Sequence, residues 1–301
     1  MYKKWGFRVE RLLLIVNPAA GKKKAEKHLA KIVAVFEDAG YDVKLHITSC
    51  SGDATNAVRT LGKDADIIVC CGGDGTLNET VAGVIDEELD KPIGYIPAGS
   101  TNDFANALSL SADIIKAAEQ IVSGKPSEYD VGKFGERYFT YVASFGAFTS
   151  ASYDTPQAMK NRLGHSAYIW QGIRELTHLK SEHVCLTVDG EEFEDDYLFG
   201  AICNSTSVGG FIKLKEDIVD MSDGVFEVLL VRFPKNIKEF AKIVSSVRKQ
   251  KFDSDHIILR SAKNVSINAD SGMVWSLDGE KCDGSEEIVV ENLHKKIKII
   301  H

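Results

Sequence analysis

Short continuous apolar runs alternate with helical patterns over the first part of the chain. Leu12–Val16 is apolar throughout, as a strand buried on both faces must be, and Asn17-Pro18 ends it. Leu29, Ile32, Val33 and Phe36 recur at helical spacing within Ala25–Ala39, and Gly40 stops that helix. Val43–Ile47 reads as a second strand, after which Ser51 or Asp53 caps a helix running to Leu61. Ile67–Cys71 is a third strand, followed by a helix over Leu77–Ile85, and Ile93–Ile96 is a fourth, closed by Pro97. Alternation of this kind predicts a parallel, doubly wound, Rossmann-like α/β sheet. Such sheets bind ligands in the loops at the carboxyl ends of their strands.

The pattern changes after a short helix over Asp113–Val122. Strand-like runs then dominate: Tyr138–Ser144, Val184–Val188, Tyr197–Asn204, Val225–Val231, His256–Arg260, Asn264–Ile267 and Glu287–Glu291. Asp189-Gly190, Asp223-Gly224 and Asp278-Gly279 are turn signals between them. This half predicts an antiparallel β-sandwich or barrel, interrupted by helices over Ser166–Leu179 and Ile237–Arg248. The expected division is 1–128 and 129–301, with the apolar and basic alternation of Lys296–Ile300 able to return to either part.

The length, 301 residues, suits two domains. Against 36 Lys and Arg stand 44 Asp and Glu, a formal net charge of -8, which excludes a general nucleic-acid binder. The six cysteines form no CxxC pair, so neither a zinc site nor a disulfide framework is expected, and reduced thiols in a cytoplasm are. The longest early apolar run, Leu12–Val16, is too short for a signal peptide or a membrane span. The expectation is a soluble protein that can still touch a membrane surface. Neither G-x-S-x-G nor H-E-x-x-H occurs.

Candidate chemistry gathers where strands end. Gly72-Gly73-Asp74-Gly75-Thr76-Leu77-Asn78-Glu79 joins the third strand to a helix. Its glycines permit close backbone approach, and the helix start suits phosphate. Asp74 would repel phosphate unless a cation stood between them, which suggests Mg²⁺; the plainer alternative is a tight turn with Asp74 as a local cap. Asn17-Pro18-Ala19-Ala20-Gly21-Lys22-Lys23-Lys24 is no Walker sequence, yet small residues with lysines at a helix start suit nucleotide phosphates; the alternative is a solvated basic helix start. In Pro97–Ala105, Ser100 and Thr101 can donate to phosphate and Asp103 can hold a metal through water, or Asn102 or Asp103 simply caps the next helix. Thr48 follows the second strand and is either a nucleotide contact or part of a plain turn. Further on, Leu277-Asp278-Gly279-Glu280 is either a general base with its partner or a hairpin turn. Asp220–Val225 is either a cation site or a turn.

Asn17-Pro18 with Gly21, Gly72–Glu79, Gly99–Ala105, Asp130-Val131-Gly132, Asp223-Gly224 and Leu277–Glu280 occur in the order found in the soluble bacterial diacylglycerol kinase family. The sequence resembles that family over almost its whole length, and more distantly the sphingosine and ceramide kinases. The resemblance implies a nucleotide domain, a β-sandwich domain and a cleft between them in which ATP phosphorylates a lipid hydroxyl, diacylglycerol first among candidates. It implies that ATP is held by Asn17, Pro18, Ala19, Ala20, Gly21, Lys22, Lys23, Thr48, Gly73, Asp74, Gly75, Thr76, Leu77, Asn78, Glu79 and Ser100. It further implies that Asp74, Asp103 and Asp130 reach a catalytic Mg²⁺ through water, and that Asp278 and Glu280 form the catalytic-base turn. A structural Mg²⁺ would take Asp223, with Asp220 and Val225 nearby. Ser100 departs from the Thr common in the family but keeps the hydroxyl, and Asp220 is a variable position there. The implied partner is a lipid at the inner face of a membrane, with basic Lys22–Lys24 and Lys295–Lys298 aiding contact, and an exposed sandwich edge offers a surface for a homodimer. A small-metabolite kinase of NAD-kinase type and a non-catalytic nucleotide- or lipid-binding regulator are the alternatives.

Overall fold

The computed structural model describes residues 9–147, 180–208, 212–214, 219–252 and 254–301. The predicted helix Ser166–Leu179 lies outside the described residues. The chain divides into two compact units, Met1–Tyr129 with Lys295–His301, and Asp130–His294.

The first unit contains β1 (Arg11–Val16), α1 (Ala20–Asp38), β2 (Asp42–Ile47), α2 (Asp53–Leu61), β3 (Ile67–Gly72), α3 (Asp74–Asp86), β4 (Pro92–Pro97), α4 (Asp103–Ala107) and α5 (Ile114–Ser123). Its strands run parallel in the order β2-β1-β3-β4, and residues Lys298–Ile300 of the C-terminal strand add in parallel beside β4. The apolar runs of β1, β3 and β4 are buried on both faces, because helices cover both, while the edge strand β2 is largely exposed. Ile32 and Phe36 of α1 and Ile114, Ala118 and Ile121 of α5 pack on Leu12, Leu14, Val69 and Ile96. Ile68 and Cys70 alternate to the other face, where α2 and α3 lie against each other so closely that a methyl on Gly83 would meet Val58 at 2.7 Å. Helix α1 starts at Ala20, five residues before the expected start at Ala25, since the glycine and lysines there lack an apolar signal.

The second unit follows with β5 (Pro126–Phe134), β6 (Arg137–Phe139), β7 (Val142–Gly146), β8 (Glu182–Val188), β9 (Glu191–Cys203), β10 (Ser207–Val208), β11 (Ile212–Lys213), β12 (Phe226–Arg232), α6 (Ile237–Arg248), β13 (Ile257–Ala262), β14 (Asn264–Ala269), β15 (Val274–Leu277), β16 (Glu280–Asp283) and β17 (Glu287–Ile300). Strands β5 and β17 have residues in both units. Within the second unit the main pairings are antiparallel: β9 pairs with β8, β7 and β12, while β14 lies between β8 and β17. An aromatic core fills it, with Trp275 between Phe134 and Phe145 at ring separations of 4.8 and 4.9 Å.

The strand read as Tyr138–Ser144 is interrupted. Thr140 and Tyr141 leave the ladder between β6 and β7, and their amides turn to a carboxylate instead.

Candidate active site

In the first unit three loops meet at the carboxyl ends of β1, β3 and β4. Gly21 takes a positive φ of 53°, and a methyl there would sit 1.9 Å from the Ala98 carbonyl oxygen. A methyl on Gly99 would lie 2.6 Å from the Gly73 Cα. Only glycine allows these approaches. Asn17 ties two of the loops together: its Nδ2 donates to Thr76 Oγ1 at 3.1 Å while its Oδ1 accepts from the Ala19 amide. Helix α3 begins at Asp74, so its first-turn amides open at the end of β3, where an anion is favoured.

Asp74 bridges to the third loop. Its carboxylate accepts from the amides of Asp103 and Phe104 at 3.2 and 3.4 Å, which caps α4 rather than its own helix. Asp103 is itself 7% exposed, so two acids stand side by side beside the glycine loops. Both raise the hydroxyl of Tyr95, after burial, the largest cause, has already pushed it up. Asn102 holds the loop, with Oδ1 accepting from the Gly99 amide and Nδ2 donating to the Gly99 carbonyl.

The remaining first-unit candidates divide by role. Glu79 faces away to α2, accepting from the Gly52 and Ala54 amides and the Ser51 hydroxyl; it supplies the cap that Ser51 and Asp53 were expected to give. Leu77 is fully buried and its amide donates to the Gly73 carbonyl, so its side chain packs the core. Thr76 is buried against Gly72. Gly75 and Asn78 are half-buried in the first turns of α3, and Ser100 is exposed. Thr48 is half-buried, and its amide donates to the Val16 carbonyl beside β1. Pro18, Ala19 and Ala20 line the turn into α1, and Lys23 is exposed with a φ of 66°. The side chain of Lys22 lies outside the described residues.

The second unit gathers the other candidates at one corner. Leu277 pairs with Glu280 across a two-residue turn in which Asp278 and Gly279 both take positive φ, the geometry for which Asp-Gly is suited. Asp278 is 4% exposed. Its Oδ2 accepts from the Thr140 amide at 2.6 Å and the Thr140 hydroxyl at 2.9 Å. Its Oδ1 accepts from the amides of Tyr141 and Val142 at 3.0 and 3.1 Å. Glu280, at the far end of the turn, is exposed. Asn204, also buried, donates from Nδ2 to the carbonyls of both Thr140 and Asp130. Asp130 is fully buried; its Oδ2 accepts from the Gly224 amide at 2.6 Å and its Oδ1 lies 3.0 Å from His294 Nδ1. Asp278, Asp130 and the Asp223-Gly224 turn are thus joined through Asn204.

Within that turn, Asp220 accepts from the amide and hydroxyl of Ser222, and Asp223 accepts from the Val225 amide. Glu227, two residues beyond, is buried with no hydrogen-bond partner for its Oε2; burial, then repulsion from Asp223 and Asp220, pushes its carboxyl up to about 8. A concentration of acid oxygens with one orphaned atom fits a hard cation such as Mg²⁺. No three acidic, histidine or cysteine side chains among the described residues gather closely enough to ligate a metal unaided, so water and carbonyl oxygen would complete its shell.

Thr140, Asn204, His294 and Glu227 escaped the sequence reading. Thr140, Asn204 and His294 lie far along the chain from the groups they serve, and Glu227, two residues beyond its turn, is a lone acid in a largely apolar strand.

Known proteins share this two-part architecture. Residues 11–134 match the diacylglycerol kinase catalytic domain, and residues 142–301 match the YegS C-terminal NAD kinase beta sandwich-like domain. The chain is 36% identical over 275 residues to a diacylglycerol kinase of Bacillus subtilis, covering 90% of each chain. It is 34% identical to one of Staphylococcus haemolyticus, covering 89% of this chain and 81% of that one. The crystal structure of a diacylglycerol kinase from Bacillus anthracis superposes with a TM-score of 0.75 at 25% identity, covering 98% of both chains. With glycine loops and paired acids in an α/β unit and a carboxylate turn in a β-sandwich, the chain belongs to the diacylglycerol kinase family and is a lipid kinase that uses ATP.

Proposed function

We propose that the chain transfers the γ-phosphoryl group of ATP to the free hydroxyl of diacylglycerol at a membrane surface, yielding phosphatidic acid. The observation that carries this reading is the pairing of Asp74 and Asp103 beside the glycine loops of β1, β3 and β4. The loop amides and the start of α3 bind the phosphates and fix their orientation. Asp74 and Asp103 would hold Mg²⁺ through water, and the Asp220–Val225 turn of the second unit would hold a separate, structural ion. When bound, Mg²⁺ neutralises charge on the β- and γ-phosphates.

Glu280 acts as the base. A carboxylate has about four acceptor positions, and the four donors on Asp278 fill them. Asp278 therefore positions the turn, and exposed Glu280 takes the proton of the lipid hydroxyl. The hydroxyl oxygen forms a bond to the γ-phosphorus, the bond from that phosphorus to the bridging oxygen breaks, and ADP leaves.

Purified protein with labelled ATP and Mg²⁺ should phosphorylate diacylglycerol in a panel with phosphatidylglycerol, a sphingoid base, a polyprenol and NAD. Label in NAD and in no lipid would overturn the reading.

A further inference from the structure

We propose that the outer face of α6 is the surface by which this protein docks on an anionic bilayer. Residues 235–251 carry six of the chain's 36 basic side chains and one acid. Phe240 and Ile243 are buried and anchor the helix to the second unit. Ile237, Lys238, Ala241, Lys242, Arg248 and Lys249 are exposed. At 3.6 residues per turn these fall within roughly 140° of the helix circumference. The acid does not interrupt this face: Glu239 folds back on the helix start, accepting from the Lys235 amide at 2.8 Å and from Asn236 Nδ2 at 3.0 Å.

Some cations elsewhere are neutralised by partners, as Lys63 is by Glu87 and Arg232 by Asp195. Lys238, Lys242, Arg248 and Lys249 form no ion pair among the described residues. An unpaired cationic face on a chain of net charge -8 has a specific consequence. Within about 10 Å, the range that salt leaves unscreened, an anionic surface attracts this one face and repels acidic ones, which orients the molecule at contact. Ile237 is 54% exposed at the same face, an apolar side chain suited to the headgroup boundary of a lipid and not to a polynucleotide backbone.

The proposal rests on the lipid-kinase reading for its purpose, since the substrate lies in a bilayer, but its test is independent of phosphoryl transfer. The full chain is sedimented with phosphatidylcholine vesicles with and without phosphatidylglycerol, in the absence of ATP. Wild type should bind only the anionic vesicles, with an affinity that falls as salt rises. Because each cation at an anionic surface contributes about fivefold in affinity, the triple variant Lys238→Gln/Lys242→Gln/Lys249→Gln should bind about a hundredfold more weakly. Its thermal midpoint and its activity on diacylglycerol in neutral detergent micelles should match wild type. Undiminished vesicle binding by the variant would overturn the proposal. So would binding of duplex DNA as tight as binding of anionic vesicles at equal salt. If wild type docks and the variant does not, while neither phosphorylates any lipid, the docking face stands and the substrate reading falls.

Discussion

Asp278 and Glu280 stand two residues apart, yet the fold treats them oppositely. The first is sealed behind four donors; the second faces solvent. Their substitutions should therefore separate. Glu280→Gln should lower kcat by about 10²–10⁴ while leaving the denaturation midpoint unchanged. Asp278→Asn turns an amide group toward backbone donors and should cost on the order of 3 kcal/mol of stability as well as activity, measured by denaturant unfolding. Equal loss of stability in both variants would reverse the assignment. The tight turn itself is legible in the residues, because Asp-Gly at two positive φ values is local chemistry. The clamp is not legible, because Thr140 lies 138 positions from Asp278 and nothing in its neighbourhood marks it.

At the scale of elements, the central parallel strands β1, β3 and β4 could be read because helices on both faces leave their interiors apolar, whereas the edge strand β2 keeps Lys44 and His46. The interruption at Thr140–Tyr141 could not, since those residues look like strand and yield to a carboxylate supplied from elsewhere. Helix α2 shows the same division. A cap was expected from Ser51 or Asp53; Glu79 of α3 provides it, and Asp53 instead secures the preceding turn, accepting from the Ser49 amide and hydroxyl. That Ser49 amide, then the Ser49 hydroxyl and His46, hold the Asp53 carboxyl below its ordinary value of 3.8. A depressed carboxyl stabilises the fold above its unfolded pKa, and the contribution disappears as pH falls through the folded one. Asp53→Asn should accordingly unfold at a lower temperature than wild type at neutral pH, with the difference shrinking as pH falls below 3.8. A difference that persists in acid would show that the ionised form is not what matters.

At the scale of the whole molecule, the chain leaves the first unit at Tyr129 and comes back to it at Lys295. Lys298–Ile300 pair with β4, and Ile299 is fully buried there. Ile299→Ala should destabilise the protein by about 2–5 kcal/mol, read from chemical unfolding. A loss under about 1 kcal/mol would mean that the last strand is peripheral to the first unit's core. The pattern of apolar positions announced both architectures, and the glycine-rich strand ends announced phosphate chemistry, because periodicity and positive φ are properties of neighbours along the chain. The partners of the acids were decided only by folding. Asp74 caps a helix that begins 29 residues later, Glu79 one that begins 26 residues earlier, and Asp130 meets a glycine 94 residues away. A buried carboxylate must find donors, and which donors reach it is settled by packing rather than by its neighbours in sequence.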